Sequence, residues 1–285
     1  MTELPFYFQR GDARLFGILH APAPGVSAAR TAFVMSHPFG EEKLWSHRVF
    51  VTFARALAQR GHYTLRFDYM GAGDSSGETP EASLQTHLAD LRAGVDQLLL
   101  RAPDIDSVGL IGLRLGASIA ATFADGVRGT DQYSKVQRGP LILWDPVIDG
   151  ENYFQELLRT NLSTQLSVFG KVQESREVLI ERIRGGGTAN VDGYEIGLPL
   201  FESCARQDLL PASGTRHEGR TLVVQIAAND KAKPREDLEA FAKGSAHASF
   251  ERAIEQPFWR EIKPFYGRAG NLQALTLQWL EQQGA

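Results

Sequence analysis

A single cysteine, Cys204, is all the thiol chemistry available to this 285-residue chain. It excludes an internal disulfide and fits a reducing compartment, so a cytoplasmic protein is expected. The N-terminus lacks a basic stretch followed by an apolar one, which argues against a signal peptide. No apolar run approaches the ~20 residues a membrane span needs. The seven histidines are scattered, with no H-x-x-x-H or C-x-x-C pairing, so no metal site is expected. Gly71-x-Gly73 and Gly109-x-x-Gly112 do not combine into G-x-G-x-x-G, so no dinucleotide cofactor is expected. A basic field is missing too: the net charge of −4 argues against nucleic acid. Repeats and low-complexity tracts are absent.

What remains is an ordinary globular composition, long enough for one large α/β domain. Residues 5–10 and 14–21 read as a hairpin joined at Gly11-Asp12. Thr31 to Ser36 is a continuous apolar strand of the kind covered on both faces. Ser46 is a candidate cap for a helix with Val49, Phe50, Phe53 and Leu57 on one stripe. Tyr63 to Tyr69 reads as a strand, and a long helix follows the glycine-rich loop Gly71 to Gly77. A short strand opening at Ser107, followed by a helix from Gly116 to Asp125, and the runs Leu141 to Trp144 and Thr221 to Ile226 complete the buried strands. Pro234 is expected to open a helix. Phe250 to Glu255 is a weaker strand, and Leu272 to Leu280 a closing helix. Strand–helix alternation of this kind implies a mostly parallel sheet with helices on both faces. Residues 150–213 show helical stretches and no convincing strand. They are expected to form a helical lid over a core built from 1–149 and 214–285.

The organising stretch runs from Ser107 to Ser118: a buried strand, a tight glycine turn and a small-residue helix start. That is the layout of a nucleophile elbow, G-x-S-x-G. Gly112 and Gly116 stand where the strained turn and close backbones need them. The nucleophile between them is missing. Arg114 takes its place, and a guanidinium stays protonated and cannot attack a carbonyl.

Four loops, each after an expected strand, resemble in order those of the α/β-hydrolase superfamily. His37-Pro38-Phe39-Gly40 sits where that family has its H-G-x-G oxyanion loop. Asp68-Tyr69-Met70-Gly71-Ala72-Gly73-Asp74-Ser75 is similar to D-x-R-G-x-G-x-S. Gly112-Leu113-Arg114-Leu115-Gly116 is the elbow. Ala227 to Pro234 resembles the loop carrying the triad acid, which places that acid at Asp230. More narrowly, His37 to Glu42, Gly71 to Ser75, Gly112 to Arg114 and Leu143 to Val147 resemble the exosortase-associated "hydrolase 2" branch, found beside bacterial exopolysaccharide genes. That resemblance implies a link to exopolysaccharide biosynthesis or export.

Chain order in this fold is nucleophile, acid, histidine. Ser118 lies inside the helix after the elbow, where its hydroxyl is expected to bond to backbone or pack. Asp230 reads either as the acid or as a turn aspartate before Pro234. His247 is the only histidine after Asp230, and it precedes the last strand, at the wrong end of the sheet. The loop that should hold the base reads Glu255-Gln256-Pro257-Phe258-Trp259. Nucleophile and base are therefore both missing. His37 is expected to organise its loop through backbone bonds, and Glu41, Glu42 and Lys43 to form a solvated turn. Cys204 reads as a packed or surface thiol.

The backbone N–H groups of Phe39 and Leu115 are candidate oxyanion donors that survive these changes. Arg114 beside them would make an anion-binding spot at a helix start. Alternatively it is neutralised internally by Asp230 or Asp145, which is favoured because an unpaired buried guanidinium is costly. The expectation is a homologue without serine-hydrolase chemistry that binds an anionic or acylated small molecule, with a homodimer left open. The competing reading is an active esterase, thioesterase or peptidase-like hydrolase using an unusual nucleophile or an activated water. Asp145, Asp230 or Glu41 would then serve as the base.

Overall fold

The computed structural model describes residues 2–102, 104–204, 208–260 and 268–284. Strands β1 (Thr2–Arg10) and β2 (Ala13–Ala21) form the expected hairpin. There follow β3 (Thr31–Ser36), helix α1 (Glu41–Gln59), β4 (Thr64–Phe67), α2 (Leu84–Arg101), β5 (Ser107–Leu113) and α3 (Leu115–Gly126). A short α4 (Ser134–Arg138) precedes β6 (Leu141–Trp144). The sheet order is β1-β2-β4-β3-β5-β6, completed by β9 (Thr221–Ala227) and β10 (Ala248–Ile254). The pairings from β4 to β10 are parallel, whereas β1–β2 and β2–β4 are antiparallel.

The two-residue period of the strands sorts the core into two layers. Ala32, Val34, Val108, Leu110, Leu141 and Leu143 face one layer, which α2 and α3 cover with residues such as Leu91, Val95 and Ile119. Phe33, Met35, Ile111, Leu113, Ile142 and Trp144 face the other, covered by Phe50, Phe53 and Leu57 of α1 and by α9 (Gly270–Gln282). Trp144 Nε1 donates to Thr276 Oγ1 of α9 at 3.1 Å, so even the largest core side chain has its polar atom satisfied. Burial on both sides explains why these strands read as continuous apolar runs.

Between β6 and β9 the chain leaves the sheet. It forms α5 (Gly150–Phe169), α6 (Arg176–Arg184), a hairpin of β7 (Ala189–Val191) and β8 (Tyr194–Ile196), and α7 (Leu198–Cys204). The hairpin corrects the expectation that this segment holds no strand. Its turn is Asp192-Gly193, both at positive φ (49° and 90°), a dipeptide that favours tight hairpins. Asp149 caps α5 by accepting the Asn152 N–H at 3.0 Å.

Two helix starts differ from expectation. Helix α1 begins five residues before Ser46, at Glu41, with Gly40 as its cap at φ 57°. Ser46 instead donates its hydroxyl to the Glu42 carbonyl at 2.7 Å, one helical turn back. Helix α8 (Glu236–Gly244) begins two residues after Pro234. No helix among the described residues is long and apolar enough to cross a membrane.

Candidate functional site

The elbow is built by the backbone and only then furnished with side chains. Arg114 caps α3 with φ 53° and ψ −124°, a conformation that costs a non-glycine residue ~1–3 kcal/mol. Its N–H donates to the Trp144 carbonyl at 3.0 Å, and its carbonyl accepts from the Ala117 N–H at 3.0 Å, so both neighbours fix the turn. A Cβ on Gly112 would lie 2.4 Å from Ala117 Cα, and one on Gly116 would lie 2.3 Å from the Ser36 carbonyl oxygen. Neither position accepts a side chain without moving backbone.

The loop after β3 is fixed just as tightly. Ser36 donates to the Gly116 carbonyl at 2.6 Å, which leaves the Tyr69 hydroxyl, 2.6 Å away, to donate to Ser36. His37 Nε2 accepts the Tyr69 N–H at 3.3 Å, so Nδ1 carries the proton and donates to the Pro38 carbonyl at 2.7 Å. Burial, reinforced by the Lys43 cation, pushes the imidazole down to about 3. His37 is a neutral brace for its loop. Phe39 and Leu115 both stand in the wall of a cavity of about 200 Å³, together with Met70, Ile119 and Tyr194. The residues carrying the candidate oxyanion donors therefore border a mainly apolar pocket.

Arg114 turns away from that cavity into an ion cluster. Its residue is 6% exposed. Nε donates to Glu42 Oε1 at 3.1 Å and Nη2 to Glu156 Oε2 of α5 at 2.9 Å. Nη1 lies 3.7 Å from Asp145 Oδ1. The rings of Trp259 and Tyr153 lie 5.4 and 5.5 Å from the guanidinium carbon, within cation–π range. Burial alone would weaken the Arg114 proton, but the carboxylates of Glu42 and Asp145 outweigh it and raise its pKa further. Burial pushes the Glu42 carboxyl up, against the pull of Arg114 and of the Tyr153 hydroxyl, which donates to Oε2 at 2.9 Å.

Of the two aspartates expected beside Arg114, only Asp145 is there. It accepts from Arg235 Nη1 at 2.6 Å and from the Ile226 N–H at 3.2 Å. Asp230 is exposed, and no ion pair joins it to Arg114 among the described residues. Glu42 corrects the expectation of a solvated turn: its side chain is 12% exposed. Lys43 is paired as well, with Asp68 at 2.7 Å. Asp74 is exposed and meets Asp68 only through its backbone N–H, at 3.1 Å.

The remaining candidates fall away from the chemistry. Ser118 is fully buried and donates to the Val147 carbonyl at 2.6 Å. Cys204 is buried, which pushes its thiol up to about 11. The His247 carbonyl accepts the N–H of Thr221, the first residue of β9, so His247 sits at the amino ends of the strands. The loop after β10 delivers Trp259 to Arg114 in place of a base. Reasoning from sequence missed Glu42, Glu156, Arg235, Tyr153 and Trp259. Glu42 and Trp259 carried a local signal, the one beside the oxyanion-type loop and the other in the loop expected to hold the base.

A parallel sheet with an antiparallel hairpin at one edge, an elbow after β5 and a braced loop after β3 together define an α/β-hydrolase. The chain belongs to the serine aminopeptidase, S33 family, which it matches over residues 27–191. Among solved structures it is similar to Est1E from Butyrivibrio proteoclasticus with ferulic acid bound (TM-score 0.68, 15% identity, 98% of both chains). An esterase of Pyrococcus furiosus matches with TM-score 0.60 and 16% identity, over 100% of this chain and 90% of that one. A serine hydrolase homologue from Coxiella burnetii matches with TM-score 0.57 and 20% identity over 98% of both. At these identities the likeness carries the fold alone. No curated protein matches the chain.

Proposed function

We propose that this protein binds a small acylated molecule without performing serine-hydrolase chemistry. The observation that carries the reading is Arg114. The residue at the attacking position is a buried cation held by Glu42, Glu156 and Asp145, and it cannot add to a carbonyl. The missing histidine after β10 supports it, because triad members act as a unit and one survivor does little. The ligand's acyl part would occupy the cavity bordered by Phe39, Leu115 and Ile119, with the carbonyl oxygen toward the Phe39 and Leu115 N–H groups.

The segment between β6 and β9 serves as a lid in this reading. Tyr194 of its hairpin lines the cavity and packs against Phe39, with ring centroids 6.3 Å apart. The finer assignment, to the exosortase-associated branch and so to exopolysaccharide biosynthesis or export, rests on the four short stretches named above.

The active-hydrolase alternative has less support. The oxygens of Asp145 are spent on Arg235 and the Ile226 N–H, and Asp230 stands apart. The test is hydrolysis of p-nitrophenyl esters of increasing acyl length by the wild type and by Arg114→Ser. Rates equal to those of heat-denatured protein are expected for both. Saturable turnover by the wild type would overturn the reading.

A further inference from the structure

A half-buried arginine in the sheet has no carboxylate within ion-pair distance among the described residues. Arg66 of β4 donates Nε to His20 Nε2 at 3.0 Å. Among the described residues, its other two guanidinium nitrogens have neither a hydrogen-bond nor an ion-pair partner. Arg55, by contrast, is matched by Glu3 at 2.7 Å and Arg114 by its three acids. Burial lowers the Arg66 pKa, and the opposing pull of the Glu3 and Asp68 carboxylates does not make up for it. Guanidinium nitrogens without a protein partner are planar donors suited to a carboxylate or phosphate from outside.

Arg66 stands in the wall of a cavity of about 250 Å³ under α1, together with Lys43 and His47. His47 is exposed at its mouth. Its proton affinity is lowered first by burial and then by the cations Arg66 and Lys43, so all three nitrogen groups act on one space. The acids there are accounted for. Asp68 is held by Lys43 and by the Asp74 N–H, and Asp74 is exposed. This cavity shares His37, Lys43, His47 and Gly73 with the apolar cavity beside Phe39 and Leu115. Gly73 makes room at the junction: a Cβ there would lie 2.1 Å from Asp68 Oδ2 and 2.5 Å from Lys43 Nζ.

We propose that Arg66, with His47 beside it, binds the anionic head of the ligand, a phosphate or carboxylate, while the apolar part fills the adjoining cavity. The ligand class is then an acyl or alkyl chain carrying a terminal anion. Arg114 is neutralised internally, as the sequence favoured, and in this reading the anion is bound at Arg66. This rests on the reading of the protein as a small-molecule binder.

The test is calorimetric titration of the full chain with n-octyl phosphate, octanoate, 1-octanol and inorganic phosphate. Octyl phosphate or octanoate should bind at least tenfold more tightly than octanol and inorganic phosphate, and whichever of the two is tighter identifies the head group. Arg66→Met should lose roughly ten- to a hundredfold for that ligand and leave octanol unchanged, as expected for lost charge-assisted hydrogen bonds. His47→Gln, at an exposed position, should lose several-fold and guards against a folding defect in the first variant. Equal affinity of all amphiphiles for wild type and Arg66→Met would overturn the anion site and keep the binding reading. Saturable hydrolysis of octanoyl esters would overturn the binding reading itself. Absence of binding by all four probes would overturn the anion site.

Discussion

Replacing Arg114 by leucine should destabilise the protein, and replacing Glu42 as well should restore much of the loss. The magnitude follows from burial. The Arg114, Glu42 and Asp145 side chains are 8%, 12% and 6% exposed. Arg114→Leu leaves Glu42 with only the Tyr153 hydroxyl as a partner, while Asp145 keeps Arg235. Glu156 is 47% exposed and rehydrates, so its share is under about 1 kcal/mol. Orphaning a buried carboxylate costs about 3–5 kcal/mol, on the order of 10 °C in Tm for a domain of this size. The double variant Arg114→Leu/Glu42→Leu removes both charges and should recover at least half of that. The loss also depends on pH. Without Arg114 the folded Glu42 carboxyl rises further above its unfolded value, so the folded state holds its proton more tightly. Stability of the single variant then falls as pH rises through the folded pKa, and its deficit is larger at pH 8 than at pH 5.5. Urea melts of the four proteins at both pH values are the assay. Additive single and double losses, or a deficit independent of pH, would refute the ion-cluster argument.

Other consequences are simpler. His20, His37 and His87 are buried neutral, with pKa values pushed down by burial to about 4, 3 and 4. Their stabilisation is complete above the ordinary 6.5 and is lost as pH falls toward 4. A drop from 6.5 to about 4 corresponds to about 3 kcal/mol per group, so urea midpoints should fall steeply between pH 6.5 and 4.5, and a flat profile contradicts this. Gly116→Ala should cost more than about 2 kcal/mol, because the new Cβ would meet the Ser36 and His37 carbonyl oxygens at 2.3 and 2.4 Å. A native-like melt would show that the elbow is looser than described. Asp230→Asn should change stability by less than about 0.5 kcal/mol, as at other exposed positions, and a larger loss would return Asp230 to the site.

The sheet was legible in the sequence because its strands are apolar on both faces and bounded by glycine and proline. Thr31 to Ser36 and Leu141 to Trp144 read directly as strands for that reason. Helix starts were less legible. Ser46 looks like a cap, but a serine one turn into a helix satisfies itself on a carbonyl, and glycine at Gly40 took the cap. The site divided along the same line. Its backbone part, the elbow and the two donor positions, is set by glycines close in sequence. Its side-chain part joins Glu42, Asp145, Glu156 and Arg235, which lie on separate elements and meet only after folding. Charge in sequence does not say which carboxylate a cation will find. Asp230 and Arg235 lie five residues apart, and the fold sends the arginine inward and leaves the aspartate in solvent.

The central claim is that the position built for a nucleophile holds none. Intact-mass spectrometry after prolonged exposure to an excess of a fluorophosphonate tests it on the unmodified full chain. The account predicts a single species at the unlabelled mass. Addition of one equivalent of the phosphonyl group, at Ser118 or at any other serine, would contradict it.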